Sequence, residues 1–242
     1  MQQTLIEIHN LQKAYTRGRE TVEALRGVDV IIAPGEFVSV MCPSGCGKST
    51  LLHIIGGIDR PSSGTVRVNG TDVGAASEDE LTRFRRDHVG FIFQFYNLLP
   101  TLSALENVEL PLVALNYPRQ ARCKMAHAAL DLVGLADRAT HRPAELSGGQ
   151  QQRVAIARAL VSNPKVILAD EPTGDLDSTL AHRVVEIMRE LNRDLGLTFV
   201  VVTHNPDVGA AGTRIIHLRD GQVVGDEPIN STPLQIANLQ EG

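Results

Sequence analysis

An apolar run, Glu36–Met41, leads into Cys42-Pro-Ser-Gly-Cys-Gly-Lys-Ser-Thr50 and then into the helical pattern Leu51, Leu52, Ile54, Ile55. A strand, a glycine-rich turn and a helix in that order leave few ways to fold. Successive backbone N–H groups in such a turn, with the helix N-terminus behind them, form a cradle for an anion. Lys48 is spaced to reach the β- and γ-phosphates of a nucleotide, and Ser49 to offer its hydroxyl to Mg²⁺. The loop pattern has glycine where this chain has Cys42. A β-carbon there restricts the backbone, so a small cost in nucleotide affinity is expected and Cys42→Gly should relieve it.

Around this loop, apolar runs bounded by Gly or Pro alternate with helical patterns. Thr65–Val68 reads as a strand ending at the hairpin turn Asn69-Gly70. Ser77-x-x-Glu80 and Ser103-x-x-Glu106 have the form of capping boxes at helix starts. Val89–Phe93 reads as a strand. Met125, Ala129, Leu132 and Val133 share a helical face closed by Gly134. In the second half Val166–Ala169 and Phe199–Val202 are apolar throughout, as in parallel strands covered on both faces. Between them Leu180, Val184, Ile187, Met188, Leu191 and Leu195 form one helical stripe closed by Gly196. Arg214–Leu218 and Gln222–Val224 flank Asp220-Gly221 as a terminal hairpin. The expected fold is α/β, with a mostly parallel sheet, an antiparallel N-terminal β part and a helical insertion. Residues 1–242 are read as one nucleotide-binding domain, its core at 1–94 and 151–242 and its helical subdomain at about 95–150.

Composition excludes some classes. The net charge is −5, which disfavours a broad nucleic-acid surface. The cluster Arg83, Arg85, Arg86 then reads as a solvated helix face. No apolar run approaches the ~20 residues of a membrane span, and Met1–Thr4 does not resemble a signal peptide. Three cysteines, Cys42, Cys46 and Cys123, lead to the expectation of free thiols in a reducing compartment.

Two further features narrow the chemistry. Leu146-Ser-Gly-Gly-Gln150 opens the helix Gln151–Val161, and Ser147 with two glycines at a helix start makes a second anion site. The strand Val166–Ala169 delivers Asp170-Glu171, and Phe199–Val202 delivers Thr203-His204. Ligands gather at the carboxyl ends of parallel strands, so Asp170, Glu171 and His204 are expected to converge on the phosphate loop.

A phosphate loop with Leu-Ser-Gly-Gly-Gln in the same chain resembles the nucleotide-binding subunit of an ABC transporter, from Tyr15 to the terminal hairpin. Within that family Leu52–Pro61, Phe93-Gln94…Leu98-Leu-Pro100, Ala104–Leu112 and His141–Gln150 resemble the lipoprotein-release and macrolide-efflux branch. The resemblance implies an ATPase using ATP and Mg²⁺. Tyr15 would stack on adenine, and Ser44, Gly45, Cys46, Gly47, Lys48, Ser49 and Thr50 would wrap the phosphates. Ser147, Gly148, Gly149 and Gln150 would cap the γ-phosphate held by a second subunit in a head-to-tail homodimer, with Asp177 linking the two sites. Gln94 would touch Mg²⁺ and the attacking water, Asp170 would hold Mg²⁺ beside Ser49, Glu171 would be the general base, and His204 would contact the γ-phosphate. The branch usually has Asn where this chain has Asp175.

The resemblance also implies a separate integral-membrane permease, which would hold the chain on the inner face of the cell membrane and choose the cargo. Phe95 and Tyr96, with Leu98 and Leu99, are the expected docking anchors, while Phe91 and Phe93 are expected in the core. A soluble ABC ATPase acting on DNA or ribosomes would carry a coiled-coil insertion or two cassettes, and this chain has neither. A regulatory cassette with weak hydrolysis would not need Glu171 and His204. A small-molecule kinase would leave Leu146–Gln150 unexplained.

Overall fold

The computed structural model describes residues 4–229 apart from Arg19 and Ser44, with the side chain of Arg17 also outside the description. Strands β1 (Ile6–Arg17), β2 (Glu20–Ile32), β4 (Ser63–Val68) and β5 (Thr71–Asp72) form an antiparallel sheet in the order β2-β1-β4-β5. The β4–β5 turn is Asn69-Gly70, both at positive φ (47° and 80°), the twist that a two-residue hairpin requires. The second sheet has the order β10-β9-β3-β8-β7-β6, from β3 (Phe37–Met41), β6 (Val89–Phe93), β7 (Val166–Asp170), β8 (Thr198–Thr203), β9 (Arg214–Arg219) and β10 (Gln222–Pro228). All its pairings are parallel except β9 with β10.

The all-apolar strands are explained by two cores, one on each face of this sheet. Val166 and Leu168 of β7 and Val200 and Val202 of β8 face the first, together with α1 (Lys48–Ile55) and the antiparallel sheet. Ile167, Ala169, Phe199 and Val201 face the second, which holds residues of α3 (Ala104–Ala114), α4 (Arg119–Leu132), α5 (Gly148–Leu160) and α6 (Ser178–Leu195). Phe37 and Phe199 are register partners on β3 and β8, and their rings stack at 5.2 Å. Both expected capping boxes are present, on α2 (Glu78–His88) from Ser77 and Glu80 and on α3 from Ser103 and Glu106. A third, from Ser147 and Gln150, opens α5.

Several expectations need correcting. Leu132 and Leu195 fit the helical stripes by spacing, yet each is about half exposed (both 52%). Each is the last residue of its helix, where the chain turns away and no neighbouring element covers the face. Phe91 and Phe93 are half-buried and stack on each other at 5.6 Å, while Ile92 between them is the fully buried residue of β6. Arg85 is not simply solvated, because its guanidinium donates to the Gly57 carbonyl at 2.6 Å.

The β9–β10 turn joins both sheets to the phosphate loop. The Gly221 N–H donates to the Cys46 carbonyl at 3.1 Å, and the Gly221 carbonyl accepts from Arg26 of β2 at 2.8 Å.

The two ends of the α6 stripe should respond differently to truncation. Leu191→Ala, in the core, is expected to cost about 2–5 kcal/mol. Leu195→Ala is expected to stay within about 0.5 kcal/mol. Urea midpoints measured side by side check this, and equal losses would contradict the observed end of the stripe.

Candidate active site

The site follows from sheet register. β3, β8, β7 and β6 lie side by side and parallel, with Met41 opposite Thr203, Val202 opposite Asp170, and Asp170 opposite Phe93. Their carboxyl ends therefore open at one level. The residues that follow are Cys42 of the phosphate loop, His204, Glu171 and Gln94.

The loop ends on Gly47, the N-cap of α1, at φ 99°. Any β-carbon there would run into the Ala24 carbonyl of β2, so glycine is required both by conformation and by space. Gly45 also has positive φ, at 84°. Lys48 opens α1 and reaches Glu171 Oε1 at 3.5 Å. Both side chains are mostly buried, at 14% and 10% exposure, so the pair is shielded from water. Ser44, expected in the phosphate cradle, lies outside the described residues.

Glu171 is the conformational outlier of the site. Its φ is +47°, a region that non-glycine residues seldom adopt and that clusters where function fixes a side chain. Its N–H still extends the sheet, donating to Val202 at 2.9 Å, while its carbonyl accepts from Gly174 at 3.0 Å. The chain turns at this point and the carboxylate is left facing Lys48 and His204. His204 Nδ1 lies 2.8 Å from Glu171 Oε1, and an ionised carboxylate can only accept, so the ring donates. Lys48, Glu171 and His204 are thus brought together as expected, with Asp170 beside them at the end of β7.

The remaining expected residues sit around this centre. Gln94 donates its amide to Asp175 Oδ1 at 3.2 Å. The Asp177 carboxylate caps α6, accepting from Leu180 N at 2.9 Å. Ser147 exchanges hydrogen bonds with Gln150, and a β-carbon at Gly148 would meet the Tyr96 hydroxyl at 2.9 Å. Among the described residues no polar contact runs from Ser147–Gln150 to Lys48, Glu171 or His204. Tyr15 is 42% exposed on β1, and Phe95 is 72% exposed after β6.

Sequence reading overlooked two residues of α5. Gln152, fully buried, donates to the carbonyls of Phe93 and Pro172 and so ties the segment before Gln94 to the one after Glu171. Arg158 donates to the carbonyls of Tyr96 and Asn97, both at positive φ, and burial lowers its guanidinium pKa. The available signal was a cation inside Val154–Leu160, otherwise wholly apolar.

The thiol expectation is overturned. Cys42 and Cys46 are joined in a disulfide across the phosphate loop, their Cα atoms 6.3 Å apart, and Cys123 is free. The two cysteines sit four positions apart on the loop, and spacing along the sequence does not reveal that they meet. Cys42 is also absent from the positive-φ residues, so the backbone argument for glycine at that position falls away. Alkylating the unfolded, unreduced chain should label Cys123 alone, and a reductant should expose all three cysteines. Peptide mass mapping checks it, and labelled Cys42 or Cys46 without reductant would contradict the pairing.

Comparison with known proteins agrees with this geometry. A family profile described as ABC transporter matches residues 25–174. The macrolide export ATP-binding/permease protein MacB of Sodalis glossinidius is 51% identical over 95% of this chain. This chain spans about a third (35%) of that relative's length. An uncharacterized ABC transporter ATP-binding protein of Methanocaldococcus jannaschii, MJ0796, is 49% identical, covering 93% of this chain and 97% of its own. One chain of the solved dimer of that cassette, in a post-hydrolysis state bound to ADP and Pi, superposes with a TM-score of 0.86 at 46% identity. It covers 94% of this chain and all of that one. With strand ends, phosphate loop and relatives in agreement, the chain belongs to the ABC transporter family.

Proposed function

We propose that this cassette works as a nucleotide-sandwiched homodimer that drives a membrane permease in export or in extraction of a molecule from the membrane. The observation that carries the catalytic part is the set of four adjacent strand ends that deliver the phosphate loop, Glu171, His204 and Gln94 at one level.

In this reading Lys48 exchanges partners. Its ammonium pairs with Glu171 at 3.5 Å, and the β- and γ-phosphate oxygens of ATP, carrying more charge, compete for it. Release of that pair leaves the Glu171 carboxylate to accept a proton from water, while the hydrogen bond from His204 Nδ1 holds it in place. The donor set suits Mg²⁺: Ser49 hydroxyl, Asp170 carboxylate and Gln94 Oε1, all oxygen. Gln94 uses its Nε2 on Asp175, which leaves Oε1 for a cation. Among the described residues no group of three His, Cys, Asp or Glu side chains is arranged to hold a metal ion. When bound, Mg²⁺ would neutralise charge on the β- and γ-oxygens.

The dimer is supported by the dimeric structure of the MJ0796 cassette and by the Ser147 cap with its glycine-lined helix start. A second chain would bring its Ser147 and Gly149 to the γ-phosphate. A membrane partner is supported by the similarity to the macrolide export ATP-binding/permease protein MacB, and no helix among the described residues is long and apolar enough to cross a membrane. Phe95, 72% exposed, and Leu99, 47% exposed, follow Gln94 and offer an apolar docking point. Macrolide or another drug, lipoprotein and peptide are the cargo classes this family branch supports.

Glu171→Gln should keep ATP binding and slow turnover about 10²–10⁴-fold. It should also accumulate an ATP-dependent dimer in light scattering; wild-type turnover in that variant would remove Glu171 as the base. For the partner, Phe95→Ser should weaken co-purification of an integral-membrane protein from detergent-solubilised membranes and leave ATP affinity unchanged. Undiminished capture would place docking elsewhere.

A further inference from the structure

Tyr15 is not left to its own rotamers. Its hydroxyl donates to Asp59 Oδ2 at 2.7 Å. Lys13, two residues earlier on β1, sends Nζ to Asp59 Oδ1 at 2.6 Å and to the Arg60 carbonyl at 2.8 Å. The same Nζ lies 4.8 Å from the centre of the Tyr15 ring. One carboxylate thus fastens both side chains. The Lys13 side chain is only 12% exposed, so this is a built contact rather than a surface encounter. Burial works against the charge on Asp59. Even so, hydrogen bonds from Lys13, from Tyr15 and from the Arg60 N–H hold its carboxyl below the usual range.

The origin of Asp59 gives this contact its meaning. Asp59 lies four residues after α1, the helix that begins at Lys48, and its backbone N–H is anchored on the His53 carbonyl of that helix at 3.2 Å. The tyrosine of one sheet is therefore tied to the helix that carries the phosphate loop. Lys13 occupies one face of the ring, as cations do on aromatic faces, and with Tyr15 42% exposed part of the ring stays open to a flat ligand.

We propose that Asp59, assisted by Lys13, is a positioning residue for nucleotide binding: it holds the open part of the Tyr15 ring at a set distance and tilt from the phosphate loop, so that a purine base stacks without first ordering the ring. This rests on the reading of Tyr15 as the adenine contact. A side chain ordered beforehand saves the entropy of immobilising it, which corresponds to a factor of about three to ten in affinity.

The test compares Asp59→Ala, Tyr15→Phe and Tyr15→Ser in the full chain, using ATP and inorganic triphosphate, which lacks a base. Asp59→Ala should raise KM for ATP about three- to tenfold, lower kcat less than twofold, and leave inhibition by triphosphate unchanged. Tyr15→Phe, which keeps the ring and removes the hydroxyl that bonds both Asp59 and Thr50, should show at least the same rise in KM. Should Asp59→Ala fold poorly, as a lowered Tm would reveal, Asp59→Asn, which keeps the volume and removes the charge, takes its place. Tyr15→Ser should raise KM at least as much, and adding Asp59→Ala to it should change nothing further. A raised KM in Tyr15→Ser with unchanged KM in Asp59→Ala and Tyr15→Phe would overturn the positioning role and leave stacking intact. An unchanged KM in Tyr15→Ser would overturn the adenine reading itself, and the proposal with it. Weaker triphosphate binding in Asp59→Ala would show that it acts through the phosphate loop, which also overturns the proposal.

Discussion

The parallel ladder from β3 through β8 and β7 to β6 is the constraint on which everything else depends. A phosphate loop can be built by nine residues, but a hydrolytic site needs groups that lie more than a hundred residues apart in sequence. The ladder solves this by register. Asp170 faces Val202 on one side and Phe93 on the other, so Glu171, the segment entering His204 and Gln94 emerge at the same height. A slip of one residue in any strand would exchange its two faces and break both cores, which makes the register energetically expensive to change. Precision at the site is thus inherited from burial on both sides of the sheet.

The antiparallel sheet has a different relation to the chemistry. It closes over the loop from outside, with the Ala24 carbonyl against Gly47, and it carries Tyr15. It is attached by apolar packing, since its Ile6, Ile8, Leu11, Val66 and Val68 share the first core with α1, β7 and β8, and also by the polar contacts of Lys13 and Tyr15 with Asp59.

Most of the fold was legible because the strong signals are physical ones. Alternation is absent in Val166–Ala169 and Phe199–Val202 because both faces are covered, and that absence itself marks parallel strands. Ser77, Ser103 and their glutamates were readable because orphan amides at a helix start demand acceptors. Leu132 and Leu195 misled because periodicity reports which residues share a face and not where the covering element stops. The convergence of Lys48, Glu171 and His204 could be read from strand ends. Asp59 and Gln152 could not, since each acts on backbone or side chains far away in sequence and belongs to no local pattern, and Arg158 showed only as a cation inside the otherwise apolar Val154–Leu160. The Cys42–Cys46 bond was missed for a related reason: a count of cysteines says nothing about how a loop curls.

The turn at Asp220-Gly221 has a consequence in time. Through Gly221 it bonds to the carbonyl of Cys46 and to the amide of Arg26. The first strand, loop and helix of the site leave the ribosome early, yet one hydrogen bond that sets the loop waits for a residue about 175 positions later. Contacts this distant in sequence close slowly, because the chain must lose much of its freedom before they return any stability. The nucleotide site is therefore among the last features to mature during synthesis. A nascent cassette remains incompetent for ATP until nearly the whole domain is in place.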